Sequence, residues 1–181
     1  QHTMRQLSGQ DATFVFLESS AAPLHLTTLY IYDPSTASGG TVTHKQLLAH
    51  IESRLHTSKV FTQKLLHVPM NLDYPYWVDD LDFDLEFHVR HIALPSPRDW
   101  RQLCILTSRL HSRGLDMARP PWEMYIIEGL DNVEGAPPGS FAVLSKYHHA
   151  AIDGASGVEI ISGLHDLGAK PVARKNVVRE V

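Results

Sequence analysis

Residues 145–157 read SKYHHAAIDGASG. Two adjacent histidines, His148 and His149, are followed by the pair Asp153 and Gly154. An imidazole whose unperturbed pKa is about 6.5 keeps a neutral, proton-accepting form at pH 7. Held at the end of a rigid strand, such a ring suits general-base work. Asp153 stands where the N-cap of a following helix would stand, and its carboxylate can also reach back four positions to a histidine. Gly154 permits a positive φ or a close backbone approach that a side chain would forbid. If the strand persists through His149, alternation sends the two rings to opposite faces, so only one of them faces a given cavity.

The base has no evident nucleophile to serve. No GxSxG elbow occurs in the chain. Ser145 and Ser156 are not in an activating context, and Cys104 falls inside a helical pattern where it reads as core packing. The proton taken would then belong to a substrate hydroxyl, a substrate amine or a water. Two other readings stand beside this one. A buried histidine pair with a capping aspartate can be purely structural. Alternatively, His148, His149 and Asp153 could supply zinc ligands, as could the His88–His91 stretch HVRH. Neighbouring strand residues diverge, however, and no cysteine or HExxH partner is in place, so no metal is expected.

The elements that must position these residues follow from pattern. Ser8 to Ser19 reads as a short helix, and PLHLTTLYIYD as a strand rich in β-branched and aromatic residues. Thr43 caps a helix with Leu47, Leu48, Ile51 and Leu55 at helical spacing. VFTQKLLHVP and YPYWVDD read as two arms of a hairpin, and Phe87 to Leu94 as a further strand. The stretch SPRDWRQLCILTSRLHSRG is a helix whose stripe is Trp100, Leu103, Leu106 and Leu110. WEMYIIEGL is a strand, NVEGAPPG a loop of turn formers, and SFAVLSKYHH a strand apolar on both faces at its start, hence central. Ala155 to Leu167 returns to helical spacing. Hairpins are too frequent for a purely parallel sheet, so the fold class is α+β, a mixed β-sheet with flanking helices.

The bulk composition is that of an ordinary globular chain. It has 181 residues, 43% hydrophobic and 20% charged, enough to bury a core. A formal net charge of −4 supplies no basic field for nucleic acid. The single cysteine, Cys104, forbids an intramolecular disulfide and favours a reducing compartment. No run approaches 18 apolar residues. His44, His50, His56 and His111 fall in surface helical patterns and read as solvated. Residues 1–3 precede Met4 and read as a tag remnant, residues 4–167 as the domain, and 168–181 as a linker or the start of a crossover.

His148, His149, Asp153 and Gly154 match the HHxxxDG motif of the superfamily that includes chloramphenicol acetyltransferase and the condensation domains of peptide synthetases. Four stretches narrow the likeness: LSGQDATFVFLESSAAPLHL, WVDDLDFDLEFHVRHIALPSP, LDMARPPWEMYIIEGL, and the motif strand with the helix after it. Spread over roughly residues 7 to 167, they resemble the bacterial wax ester synthase / acyl-CoA:diacylglycerol acyltransferase family.

The resemblance implies the N-terminal half of a chloramphenicol acetyltransferase-like two-domain fold, with the active-site channel between the halves. It implies transfer of a fatty acyl group from acyl-CoA to a long-chain alcohol or diacylglycerol. His149 would be the general base, His148 a supporting residue and Asp153 a loop-holding residue, with no acyl-enzyme and no cofactor beyond acyl-CoA as co-substrate. Pro121 and Trp122 fall on the family's Pro–Leu–Trp motif and would be channel residues. The leucine is replaced here, since the chain reads Pro120–Pro121–Trp122, and a core aromatic is the competing reading for Trp122. His25, in PLHL, reads as structural. The expected partners are the C-terminal half of the same enzyme and a second copy of the chain. The expected location is cytoplasmic, peripheral at a membrane or lipid-droplet surface. The alternatives are an amide-forming condensation domain and a non-catalytic lipid-binding or dimerisation module.

Overall fold

The computed structural model describes residues 4–19, 21–152, 160 and 163–165. In chain order the elements are β1 (Arg5–Gln6), α1 (Gly9–Leu17), β2 (His25–Tyr32), α2 (His44–Arg54), β3 (Gln63–Leu66), β4 (Tyr76–Asp79), α3 (Leu85–His88), β5 (Val89–Ala93), α4 (Trp100–His111), β6 (Trp122–Glu128) and β7 (Phe141–His148). The α+β class expected from the sequence is the one observed.

Local chemistry sets most of the boundaries. Ser8 opens α1 by accepting the Asp11 N–H on its hydroxyl (3.1 Å). Thr43 and Gln46 form a reciprocal capping box at α2, and Asp99 caps α4. The strand expected over Phe87 to Leu94 begins only at Val89. Asp84 accepts the Glu86 N–H (3.0 Å) and starts the single helical turn α3 instead. The strand expected from Val60 shortens to Gln63–Leu66 for the same kind of reason: Ser58 caps a 3₁₀ turn over Lys59–Phe61. It still pairs with β4 as the expected hairpin. The linker expected at 168–181, and most of the helix expected at 155–167, lie outside the described residues.

The main sheet runs β2–β7–β6–β5, with β7 antiparallel to both neighbours and β5 parallel to β6. A smaller antiparallel sheet runs β1–β4–β3. Strand alternation divides β7 between two cores. Phe141 and Tyr147 pack with Met124, Ile126 and the α2 residue Ile51. Ala142 and Leu144 pack with Tyr125, Ile127 and the α4 residues Leu103 and Leu110. A third cluster joins Ala12 of α1 to Leu65 and Trp77 of the small sheet and to Ala150 and Ala151 beyond β7.

Two details of α4 differ from expectation. Trp100 is not on the buried stripe: it is exposed, and its indole N–H donates to the Glu134 carbonyl (2.9 Å). Cys104 is not core packing but lies on the exposed side.

The Leu144 side chain has no exposed surface and sits between β7 and α4, whereas Leu81 is 81% exposed. Leu144→Ala is expected to cost about 2–5 kcal/mol by chemical denaturation, and Leu81→Ala less than about 0.5 kcal/mol. Equal costs would contradict this arrangement of the core.

Candidate active site at the end of the central strand

β7 stops at His148. The His148 N–H donates to the Pro121 carbonyl (3.0 Å), ahead of β6, and the His149 N–H donates to the Leu24 carbonyl (3.0 Å), ahead of β2. At that point the His148 imidazole acts as a cap: its Nδ1 accepts the Ala150 N–H (3.1 Å) and opens a 3₁₀ turn over His149–Ala151. The two histidines are therefore not successive residues of one strand facing opposite sides. The first ends the strand and the second rides on the turn.

Their environments differ accordingly. His148 has no exposed surface. Since Nδ1 accepts, the ring proton of neutral His148 is on Nε2, which lies 3.3 Å from Glu18 Oε2. Burial pushes the His148 pKa below 6.5, and the Glu18 carboxylate only partly opposes this. His149 is half-buried. Its ring stacks on Phe14 of α1, with centroids 5.1 Å apart and planes at 22°. It lines a cavity of about 580 Å³ whose other walls include Gln6, Gln10, Asp11 and Trp77. The enclosed ring caps the turn, and the half-buried ring borders the cavity.

A second cavity, of about 360 Å³, opens on the α2 face of the sheet, with Tyr30, Leu47, Met124, Ile126, Val143 and Tyr147 among its walls. This lining suits hydrocarbon. The opposite face is polar near its base. Lys146 has no exposed side-chain surface; its Nζ donates to the Arg113 carbonyl (2.5 Å) and lies 3.9 Å from Glu123 Oε2. Burial lowers its pKa.

The remaining expected site residues fall as follows. Asp153 and Gly154 lie outside the described residues. Trp122 is fully buried, donates its indole N–H to the Phe61 carbonyl (3.0 Å) and stacks on His88 (4.5 Å). Pro121 is buried and offers its carbonyl to His148. Neither borders the two cavities. His88 of the HVRH stretch donates from Nδ1 to the Trp122 carbonyl (2.7 Å), and His91 pairs with Glu128 (2.9 Å). Among the described residues no three His, Cys, Asp or Glu side chains gather as metal ligands. His25 faces His148 across the ladder and bonds the His111 carbonyl through Nε2 (2.7 Å). Of the histidines read as solvated, His56 and His111 are exposed, whereas His50 is half-buried and donates to the Leu164 carbonyl (2.9 Å).

The sequence pattern gives Phe14 and Glu18 no individual role. Their signal was the i, i+4 spacing, which sets an aromatic and a carboxylate one helical turn apart at the end of α1.

His25, His88 and His148 all have pKa values pushed below 6.5, in each case chiefly by burial. Between those depressed values and 6.5 the unfolded chain binds more protons than the native one, so stability rises with pH across that window. The stabilisation is complete above pH 6.5 and is lost as pH falls through the native values. Asp73, held low chiefly by the Tyr74 N–H, titrates below 3.8 and does not contribute there. The urea midpoint is therefore expected to drop between pH 7.5 and 5.5; a flat midpoint would contradict neutral buried histidines.

Comparison with known proteins bears on the family and the fold. Residues 7–181 match the family described as wax ester synthase/diacylglycerol acyltransferase catalytic domain. The chain is 37% identical over 164 residues to a putative diacylglycerol O-acyltransferase of Mycobacterium tuberculosis H37Rv, covering 91% of this chain and 32% of the relative. It is 38% identical over 168 residues to the probable diacylglycerol O-acyltransferase tgs3 of the same organism, covering 93% and 59%. The chain thus spans between about a third and three-fifths of these relatives. The wax ester synthase/diacylglycerol acyltransferase structure from Marinobacter aquaeolei VT8 superposes with a TM-score of 0.68 at 32% identity, covering 87% of this chain and 37% of that one. The first condensation domain of the calcium-dependent antibiotic synthetase shares the fold, with a TM-score of 0.67 at 16% identity over 90% of this chain and 36% of that one. With the match extending over residues 7–181, the chain belongs to the wax ester synthase/diacylglycerol acyltransferase catalytic domain family.

Proposed function

We propose that this chain carries the base of an O-acyltransferase that moves a fatty acyl group from acyl-CoA to the hydroxyl of a long-chain alcohol or diacylglycerol. The observation that carries this reading is the half-buried His149 ring, held on a capped turn and lining an open cavity. In the proposed step His149 takes the proton of the acceptor hydroxyl. The oxygen attacks the thioester carbonyl, the carbon–sulfur bond breaks, and the imidazolium returns its proton to the departing CoA thiolate. The products are an ester and free CoA. This balances without an acyl-enzyme or a further cofactor, in keeping with a chain that has no GxSxG elbow.

The family supports the acyl chemistry, and the apolar cavity on the α2 face supports an oily substrate. His148 acts here as the capping scaffold. The resemblance gives Asp153 a loop-holding role and places Pro121 and Trp122 in the substrate channel; what supports a role for Pro121 near the base is its carbonyl, which accepts the His148 N–H (3.0 Å) at the end of β7. The acyl donor and acceptor would meet in a channel completed by further C-terminal sequence. Support for that part is the length of the relatives, of which this chain covers 32–59%. The family likeness points to a cytoplasmic protein peripheral at a membrane or lipid-droplet surface; among the described residues no helix is long and apolar enough to cross a membrane.

The direct test is His149→Ala in protein expressed from the complete open reading frame, with CoA release as the readout. Loss of a general base is expected to lower kcat by ~10²–10⁴-fold while the melting temperature holds. Activity within a few-fold of wild type would remove the base assignment. Release of CoA that depends on an amine and not on an alcohol would move the chemistry to amide formation.

A further inference from the structure

We propose that Glu18 is a positioning residue for the reaction at His149, setting the tautomer of His148 and anchoring the turn that presents the base. This rests on the reading of His149 as the base. Glu18 directly follows α1 as its C-cap. Oε1 accepts the Leu24 N–H (3.1 Å), and the Leu24 carbonyl in turn accepts the His149 N–H (3.0 Å). Oε2 lies 3.3 Å from His148 Nε2, while His148 Nδ1 accepts the Ala150 N–H (3.1 Å). One carboxylate therefore reaches the turn from both sides, through the strand before it and through the ring that caps it. One helical turn earlier, Phe14 of the same helix stacks on the His149 ring.

The chemistry requires a carboxylate. Both groups that face Glu18 are N–H donors, and an ionised carboxylate offers acceptors only. The contact to Nε2 is longer than a well-formed charge-assisted hydrogen bond of about 2.7–2.9 Å, but Nε2 is fully buried and has no better-placed partner among the described residues. A negative charge at that distance favours the Nε2–H form of His148. That form leaves Nδ1 bare for the Ala150 N–H. A glutamine has one acceptor oxygen. It can satisfy Leu24 and turn its NH₂ toward His148, which favours the Nδ1–H form and removes the cap, or satisfy His148 and leave the Leu24 N–H unpaired.

The test is Glu18→Gln beside Glu18→Asp, each in protein from the complete open reading frame, with steady-state kinetics and imidazole ¹⁵N spectra of His148. Partners that fix the tautomer of metal-ligating histidines are worth roughly 10–100-fold in activity, and by that analogy kcat of Glu18→Gln is expected to fall by about the same factor. KM for acyl-CoA should stay within about threefold, the sign of an interaction used in the transition state. The His148 spectrum should lose its single Nε2–H form, and Glu18→Asp, which keeps two acceptors, should recover part of both. An unchanged kcat overturns the proposal. So does a lowered kcat with an unchanged His148 tautomer, which would make the effect merely structural. The wild-type spectrum tests the idea without any variant: the Nδ1–H tautomer at neutral pH overturns it. His149→Ala, assayed alongside, separates the two levels. If it is inactive and Glu18→Gln fully active, the role of Glu18 falls and the base reading stands. If His149→Ala is active, the base reading falls and takes the role of Glu18 with it.

Discussion

The arrangement depends on one hydrogen bond, from the Ala150 N–H to Nδ1 of His148. A strand that continued would carry His149 as an ordinary ladder residue, with its direction set by the pleat. Instead the last residue of β7 uses its own side chain to accept the backbone donor two positions on, and the chain curls into a 3₁₀ turn. The cap works only while Nδ1 is unprotonated. Full burial of His148, which disfavours the charged ring, is therefore part of what makes the turn. Burial, tautomer and backbone direction are linked, and their joint result is a second ring set at the edge of a cavity.

The fold supplies the rigidity this needs. β7 is paired along its length on both sides, and its end is pinned by carbonyls from the segments leading into β2 and β6. The two faces of the sheet are built for different solvents. The α2 face closes around an apolar cavity. The α4 face is a dry core that gives way near the site to Lys146, Glu123 and Tyr125, with the Tyr125 hydroxyl donating to Glu123 (2.7 Å) and its pKa pushed up to about 12. A buried lysine placed between a carboxylate and a carbonyl keeps its neighbours paired, and breaking such a pair costs far more than the pair contributes.

Much of this is legible in the residues. The helix read from Ser8 and the capping signal at Thr43 mark true helix starts, and the doubly apolar first half of SFAVLSKYHH marks a strand that is in fact central. What pattern reading misses is decided by side chains that override propensity. Asp84 turns a predicted strand start into α3, and His148 ends β7 one residue early. Trp100 and Cys104 fit a helical stripe by spacing, yet they lie outside the face that α4 buries, because Leu103 and Leu110 define it. Phe14 and Glu18 reach the site through tertiary docking of α1 on the turn; their i, i+4 spacing sets them one helical turn apart but does not say what that side of the helix meets.

The central claim is that His149, half-buried and bordering the cavity, takes the acceptor's proton. The most direct measurement is its titration by NMR in the complete protein, set against the pH profile of kcat/KM. The acidic limb of the rate profile should fall at the pKa measured for His149, since kcat/KM reports the essential base of the free enzyme. A rate that stays level while His149 gains its proton would contradict the account.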